Sequence, residues 1–241
     1  MRITGTTRGV SKKTYIPEIL HFTHCTLNTL RLFPIAAELS FDFSSCPEFS
    51  QRREKLTWRG NCMGPNHGYH MPLIGAYLRS RATLLSERRP DVLDMGITGS
   101  DCHVGFLSNI TFLDLFESRD ICKHKYLLQL DGNGISGRST HLFSSGSLVF
   151  KPDSVFSEWY YHNLRPWVHY VPVHEFLEDV VEQVEWIKAN PAAAMCIANN
   201  AKIFAKQHLT KENVACYWWR LLSAWARQQT QGSRTEGFTP V

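Results

Sequence analysis

The sequence predicts an α/β fold: a parallel sheet covered by helices on both faces, with a helical C-terminus. Three observations carry this. From residue 56 onward, short apolar runs alternate with longer stretches of helical period. The apolar run 126–130 opens directly into Asp131-Gly132-Asn133-Gly134-Ile135-Ser136-Gly137-Arg138, the pattern of a buried strand entering a tight turn. The last third shows helical periodicity with few strand signals. Strands alternating with helices imply parallel pairing, and ligands in such sheets sit at the carboxyl ends of the strands.

Residues 1–55 show no confident period, and Pro17 and Pro34 interrupt them. The stretch 41–53 reads as a loop entering a charged helix or turn. Leu56-Thr57-Trp58-Arg59-Gly60-Asn61 is a short strand followed by a loop rich in Gly, Pro and Asn. A helix is expected over 71–87, with Leu73, Tyr77, Leu84 and Leu85 on one face, Arg79 and Arg81 outside it, and Pro90 ending it. Residues 92–98 read as a second strand and 110–116 as a short helix. After the central strand come a strand at 147–150, a helix at 155–163 and a strand at 168–171. Leu177, Val180, Val181, Val184 and Ile187 recur at helical spacing, and Pro191 opens another helix. Thr210 caps a last helix whose Val214, Tyr217, Trp218, Leu221, Leu222 and Trp225 share one face, read as core.

Composition narrows the function. The net charge is +4, with 26 basic and 22 acidic side chains, too weak a surplus to argue for nucleic acid. No apolar run reaches the length of a membrane span. The seven cysteines show no CxxC spacing, which argues against a zinc ribbon or thioredoxin-type site. Their odd number leaves at least one thiol outside any intramolecular disulfide scheme. Asn109-Ile110-Thr111 is a glycosylation sequon, meaningful only in a luminal chain. His124 and other histidines lie near cysteines without diagnostic ligand spacing, so scattered histidines explain them better than a metal.

The glycine-rich turn can be tested against known chemistries. As a calcium loop it fails, because Gln129 and Thr140 stand at the first and last loop positions, which should be acidic. Gly132-x-Gly134-x-x-Gly137 matches the bare dinucleotide pattern, but no acidic residue follows at the right distance on a strand end. What remains is an anion cradle: glycines free to take positive φ, the Ser136 hydroxyl, the forked donors of Arg138 and the start of a helix near Ser139. A tight turn without a ligand fits these residue types equally well. Arg79 and Arg81 read as solvated helix charges, and His169 as a buried, hydrogen-bonded histidine. The absence of any Asp-x-Asp points away from a metal-held diphosphate.

Taken together, KYLLQLDGNGISGR, SSGSLVFKPDSVFSEWYYHNLRPWVHYVPV and CYWWRLL resemble glycosyltransferase family 90, the protein O-glucosyltransferase and capsule-associated xylosyltransferase family, in its fungal-type form. The resemblance runs over residues 55–228. It implies a Rossmann-like donor-binding lobe of a two-lobed, GT-B type enzyme. It also implies inverting, metal-independent transfer from a UDP-sugar, glucose or xylose, to a hydroxyl of a protein or glycan acceptor. Donor contacts fall on Asn133, Gly134, Ile135, Ser136, Gly137 and Arg138, and the family's upstream arginine best matches Arg81. No cofactor beyond the donor is implied, and the expected compartment is the lumen of the endoplasmic reticulum or Golgi. The family's catalytic aspartate lies upstream of the W-R-G motif, and its surroundings are not found in residues 1–55, so the catalytic residue is unknown. No signal or anchor is visible either. The expected organisation is thus a remnant or divergent N-terminal segment over 1–55, a donor-binding domain over 56–228 and a frayed tail over 229–241. The alternative is a catalytically inactive UDP-sugar binder.

Overall fold

Five short strands pair side by side and each carries buried side chains, although in the first of them only Leu56, Thr57 and Trp58 are buried. The computed structural model describes residues 42–61, 73–99, 112–115, 117–132, 136–154 and 156–232. The chain divides into two compact units, residues 37–211 and residues 1–36 with 212–241.

The first unit holds one sheet. Its strands are β1 (Arg53–Gly60), β2 (Leu93–Ile97), β3 (His124–Leu128), β4 (Leu148–Pro152) and β5 (Val171–Val173), in the order β2-β1-β3-β4-β5. Every pairing is parallel. Alternation along β3 sends Tyr126 and Leu128 to one core and Leu127 to the other. On the first face Leu78, Ala82 and Leu85 of α1 (Leu73–Arg88) pack with Val180, Val184 and Ile187 of α3 (Val180–Ala189). On the second, Leu142 and Phe143 of α2 (Ser139–Ser144) meet Ala201, Phe204 and Ala205 of α4 (Pro191–His208). The expected α/β architecture with helices on both faces is therefore present.

Four local expectations are corrected. The buried face of α1 is Leu78, Ala82 and Leu85, while Leu84 is exposed. Residues 112–115 are not helical; there the Leu113 N–H donates to the Ile97 carbonyl, 2.8 Å away. The stretch 156–163 is a loop ending in a single 3-10 turn, Tyr161–Asn163, because Tyr160 is buried by an aromatic cluster rather than by a helical stripe. The last strand begins at Val171 rather than residue 168, since a turn closed by Trp167 N–H to the Tyr170 carbonyl occupies the residues before it.

The described part of the second unit belongs to α5 (Lys211–Gly232). Tyr217 is buried, but Trp218, Leu222 and Trp225 are exposed, so the apolar stripe read as core is only partly so. Among the described residues, no helix is long and apolar enough to cross a membrane. The Asn109 sequon lies outside the described residues.

Candidate functional site

From β1 the chain leaves through α1 to β2 on one side; from β3 it leaves through α2 to β4 on the other. The order of winding therefore reverses between β1 and β3, the switch point at which open α/β sheets take ligands in a crevice at the carboxyl ends of the strands. Asn61 follows β1 there, and Asp131 and Gly132 follow β3.

Arg79 reaches this crevice from α1. It is only 7% exposed. Its Nη1 donates to the backbone carbonyl of Asn61 at 2.7 Å and to Oδ1 of the same residue at 2.6 Å. Its Nε donates to the Asp131 carbonyl at 3.2 Å, and the guanidinium lies 5.6 Å from the Trp58 ring centroid. Burial, then the like charge of Arg138, pulls the Arg79 guanidinium down to about 10, against the attraction of Asp131. It remains a cation at neutral pH. The expectation of a solvated helix charge is corrected: α1 packs against the sheet with Arg79 turned inward.

Arg138 faces the same crevice from the start of α2. Its Nη1 donates to the Arg59 carbonyl, the one hydrogen bond its guanidinium makes among the described residues. Burial lowers its pKa. Arg59 itself is committed to Asp94, with Nη2 to Oδ1 at 2.6 Å and Nη1 to the Asp94 carbonyl at 2.7 Å. Asp131 is occupied as well: Oδ1 accepts the Ser136 N–H at 2.9 Å, and Oδ2 accepts the Ser154 hydroxyl. Arg79 thus lies between the like charge of Arg138 and the carboxylate of Asp131, and Arg138 keeps donors to spare.

The remaining sequence-derived donor residues fall in different places. Ser136 is buried at the end of the turn, and its carbonyl accepts the Ser139 N–H. Gly137 is exposed, and a Cβ there would meet nothing within 4 Å. Asn133, Gly134 and Ile135 lie outside the described residues. Neither Gly132 nor Gly137 takes positive φ. Gly132 serves instead the close approach of Arg79, because a Cβ would stand 2.6 Å from Nη2. Arg81 is half-buried on α1, with its Nε buried and without a partner among the described residues. Two positions apart on a helix, Arg79 and Arg81 point about 200° away from each other.

A second polar group on the α2 face was not singled out from the sequence. Gln129 and Lys151 are neighbours at the ends of β3 and β4. Lys151 is buried, its Nζ donating to the Pro152 carbonyl and lying 4.7 Å from the Tyr161 ring centroid. Burial lowers its pKa, against Asp131 and Asp153. Gln129 donates to the Tyr161 hydroxyl, and its Oε1 is buried without a partner among the described residues. The hydroxyls of Ser139 and Tyr160 are 2.6 Å apart. Burial and then the charge of Asp131 hold the Glu158 carboxyl above its ordinary range, with the Trp159 N–H opposing. The signal was present: YLLQ and LVFK each end an apolar strand on a polar side chain.

The model of Glycosyl transferase family 90 matches residues 47–239. The chain belongs to glycosyltransferase family 90. Among its relatives, Protein O-glucosyltransferase 3 of Rattus norvegicus is 31% identical over 214 residues, covering 86% of this chain and 38% of that protein. Protein O-glucosyltransferase 1 of Homo sapiens is 42% identical over 108 residues, 45% of this chain and 28% of that protein. The chain thus spans less than half the length of these relatives. The crystal structure of TarM overlays 75% of this chain and 37% of its own at 13% identity, with a TM-score of 0.48.

Outside the crevice, this family 90 chain joins Cys46 to Cys122 by a disulfide. Cys216 is also disulfide-bonded, and Cys196 is an exposed free thiol.

Proposed function

We propose that the crevice between β1 and β3 binds the diphosphate of a UDP-sugar, and that the chain serves glucosyl or xylosyl transfer to a hydroxyl of a protein or glycan acceptor. The observation that carries this reading is that Arg79, buried at the end of β1, feels the like charge of Arg138, while the Asp131 carboxylate near it already accepts two hydrogen bonds. An uncompensated pair of guanidiniums at the switch point of a parallel sheet is suited to a dianion. Family membership and relatives named as O-glucosyltransferases support a sugar nucleotide as that dianion.

The transfer is inverting. The acceptor oxygen bonds to the anomeric carbon as the bond from that carbon to the diphosphate breaks. The acceptor proton passes to a carboxylate, expected from the family resemblance to lie upstream of the W-R-G motif. Arg138, with Arg79 behind it, neutralises the charge that grows on the departing UDP. Two fixed cations take the place of a divalent ion, in keeping with a chain that contains no Asp-x-Asp. Arg81, with its unpartnered Nε, offers a further donor. The Cys46–Cys122 disulfide supports folding in an oxidising lumen, that of the endoplasmic reticulum or Golgi.

Calorimetry with UDP in the presence of a chelator tests this. Binding should be seen without metal, and Arg138→Ala should weaken it about ten- to hundredfold. Arg138→Lys should recover only part, because it keeps the charge and loses the fork. Binding that appears only on adding manganese, or an Arg138→Ala protein that binds UDP normally, would refute the assignment.

A further inference from the structure

Trp167 and Trp186 stand half-exposed, at 43% and 45%. Their ring centroids are 5.3 Å apart and the rings cross at 76°. Trp167 lies in the turn that leads into the amino end of β5, the edge strand, and Trp186 lies on α3. With Glu182, Gln183, Cys196 and Ile197 they line an open cavity of about 660 Å³, within the usual size range for small-ligand sites. Trp167 holds φ at 62°, in the left-handed region that a bulky side chain normally avoids. Its N–H is pinned to the Tyr170 carbonyl at 2.8 Å, and the next N–H to the Arg165 carbonyl at 3.2 Å. Core packing does not explain a strained backbone that presents an indole to solvent, and such outliers gather at ligand sites.

The wall of the cavity is mostly apolar, with Ala193 beside the two indoles, and Glu182 and Gln183 are its polar members. Glu182 makes no hydrogen bond or ion pair among the described residues, and Gln183 donates Nε2 to Asp179 at 3.3 Å, which leaves its Oε1 free to accept. We propose that this cavity is a saccharide-binding site, taking one pyranose ring of a glycan. The C–H face of the sugar lies on the indole of Trp186 in the corner made with Trp167. Its hydroxyls donate to Glu182 and to Oε1 of Gln183. An apolar protein segment would bury the Glu182 carboxylate unpaired, at a heavy desolvation cost, whereas sugar hydroxyls satisfy it. The cavity belongs to the β5 edge and the crevice to the carboxyl ends of β1 and β3, so both can be filled together. The inference does not depend on the donor reading.

The test is saturation-transfer NMR on the full 241-residue chain with cellobiose and chitobiose, repeated with UDP at saturation. Transfer to the sugar C–H protons is expected with and without UDP. Trp186→Ala should weaken binding about tenfold, with Glu182→Gln giving a smaller loss and an unchanged melting temperature. If Trp186→Ala does not fold, the Glu182→Gln loss alone supports or sinks the site. The proposal is overturned if neither sugar shows transfer, or if UDP abolishes it, placing the sugar in the donor crevice. It is also overturned if a folded Trp186→Ala protein binds sugar normally, or if the variant loses only self-association, making the cavity a contact between copies.

Discussion

A methyl group at Gly132 would stand 2.6 Å from Nη2 of Arg79, inside any tolerable contact. Arg79 is held by three bonds to Asn61 and Asp131, so Gly132→Ala must break some of them to make room. UDP affinity should therefore fall in Gly132→Ala as it does in Arg79→Ala. Calorimetry on both variants checks it; full affinity in a folded Gly132→Ala protein would separate Arg79 from the ligand. His124 sets a pH limit of a different kind. It is buried against the Thr57 hydroxyl, 2.9 Å from Nδ1, and burial holds its pKa below the ordinary value. With the folded pKa depressed, the unfolded chain takes up the proton first. Stability should thus be lost as pH falls below about 6.5. Melting curves between about pH 7 and pH 5 should fall less steeply in His124→Gln than in the natural protein, and equal slopes would rule His124 out. At this scale Arg138 could be named from the sequence as a candidate, because forked donors follow a glycine turn. Arg79 was not, because α1 carries arginines at 79, 81 and 88 and sequence spacing does not say which one the sheet turns inward.

Among the elements, what could be read were those whose period matches their burial. β3 and β4 are continuous apolar runs, and α3 and α4 repeat their buried residues at helical spacing. The stretch between β4 and β5 defied that logic. Trp159, Tyr160 and Tyr161 are fixed by edge-to-face ring contacts and by contact with Phe204, more than forty positions away. Such contacts leave no local period. Also non-local is the Cys46–Cys122 bond, which ties the segment before β1 to the 3-10 turn before β3 across 76 residues. In the chain-entropy picture, closing a loop of that size removes about 4.5 kcal/mol of freedom from the unfolded state. Replacing both cysteines by serine should lower denaturant stability by an amount of that order and leave UDP affinity of the folded fraction unchanged, since neither sulfur lines the crevice. A stability unchanged in the double variant would show that the crosslink constrains little.

For the sheet-bearing unit as a whole, the decisive feature is that the proposed donor site and the aromatic cavity depend on different elements. The crevice is assembled by β1, α1, β3 and the turn into α2, which depart in opposite directions from the switch point. A diphosphate gripped by Arg79 and Arg138 would bridge those two halves, so its binding energy should be expressed as reduced opening of both. At a UDP concentration of about 100 times Kd, linkage adds roughly 2.7 kcal/mol to global stability. Local openings at the crevice should be slowed as well, while those at β5, α3 and the start of α4 should feel only the global term. Hydrogen–deuterium exchange read by peptide distinguishes these. UDP should protect peptides containing Asn61, Arg79, Asp131 and Arg138 most strongly, with much smaller changes in those containing Trp167, Trp186 and Cys196. A disaccharide should give the reverse pattern. If UDP protects the Trp167–Trp186 corner as strongly as the arginine pair, the two sites are one energetic unit and the separation drawn from the sheet topology fails. If UDP protects neither, Arg79 and Arg138 are paired for the stability of the turn and the diphosphate binds elsewhere.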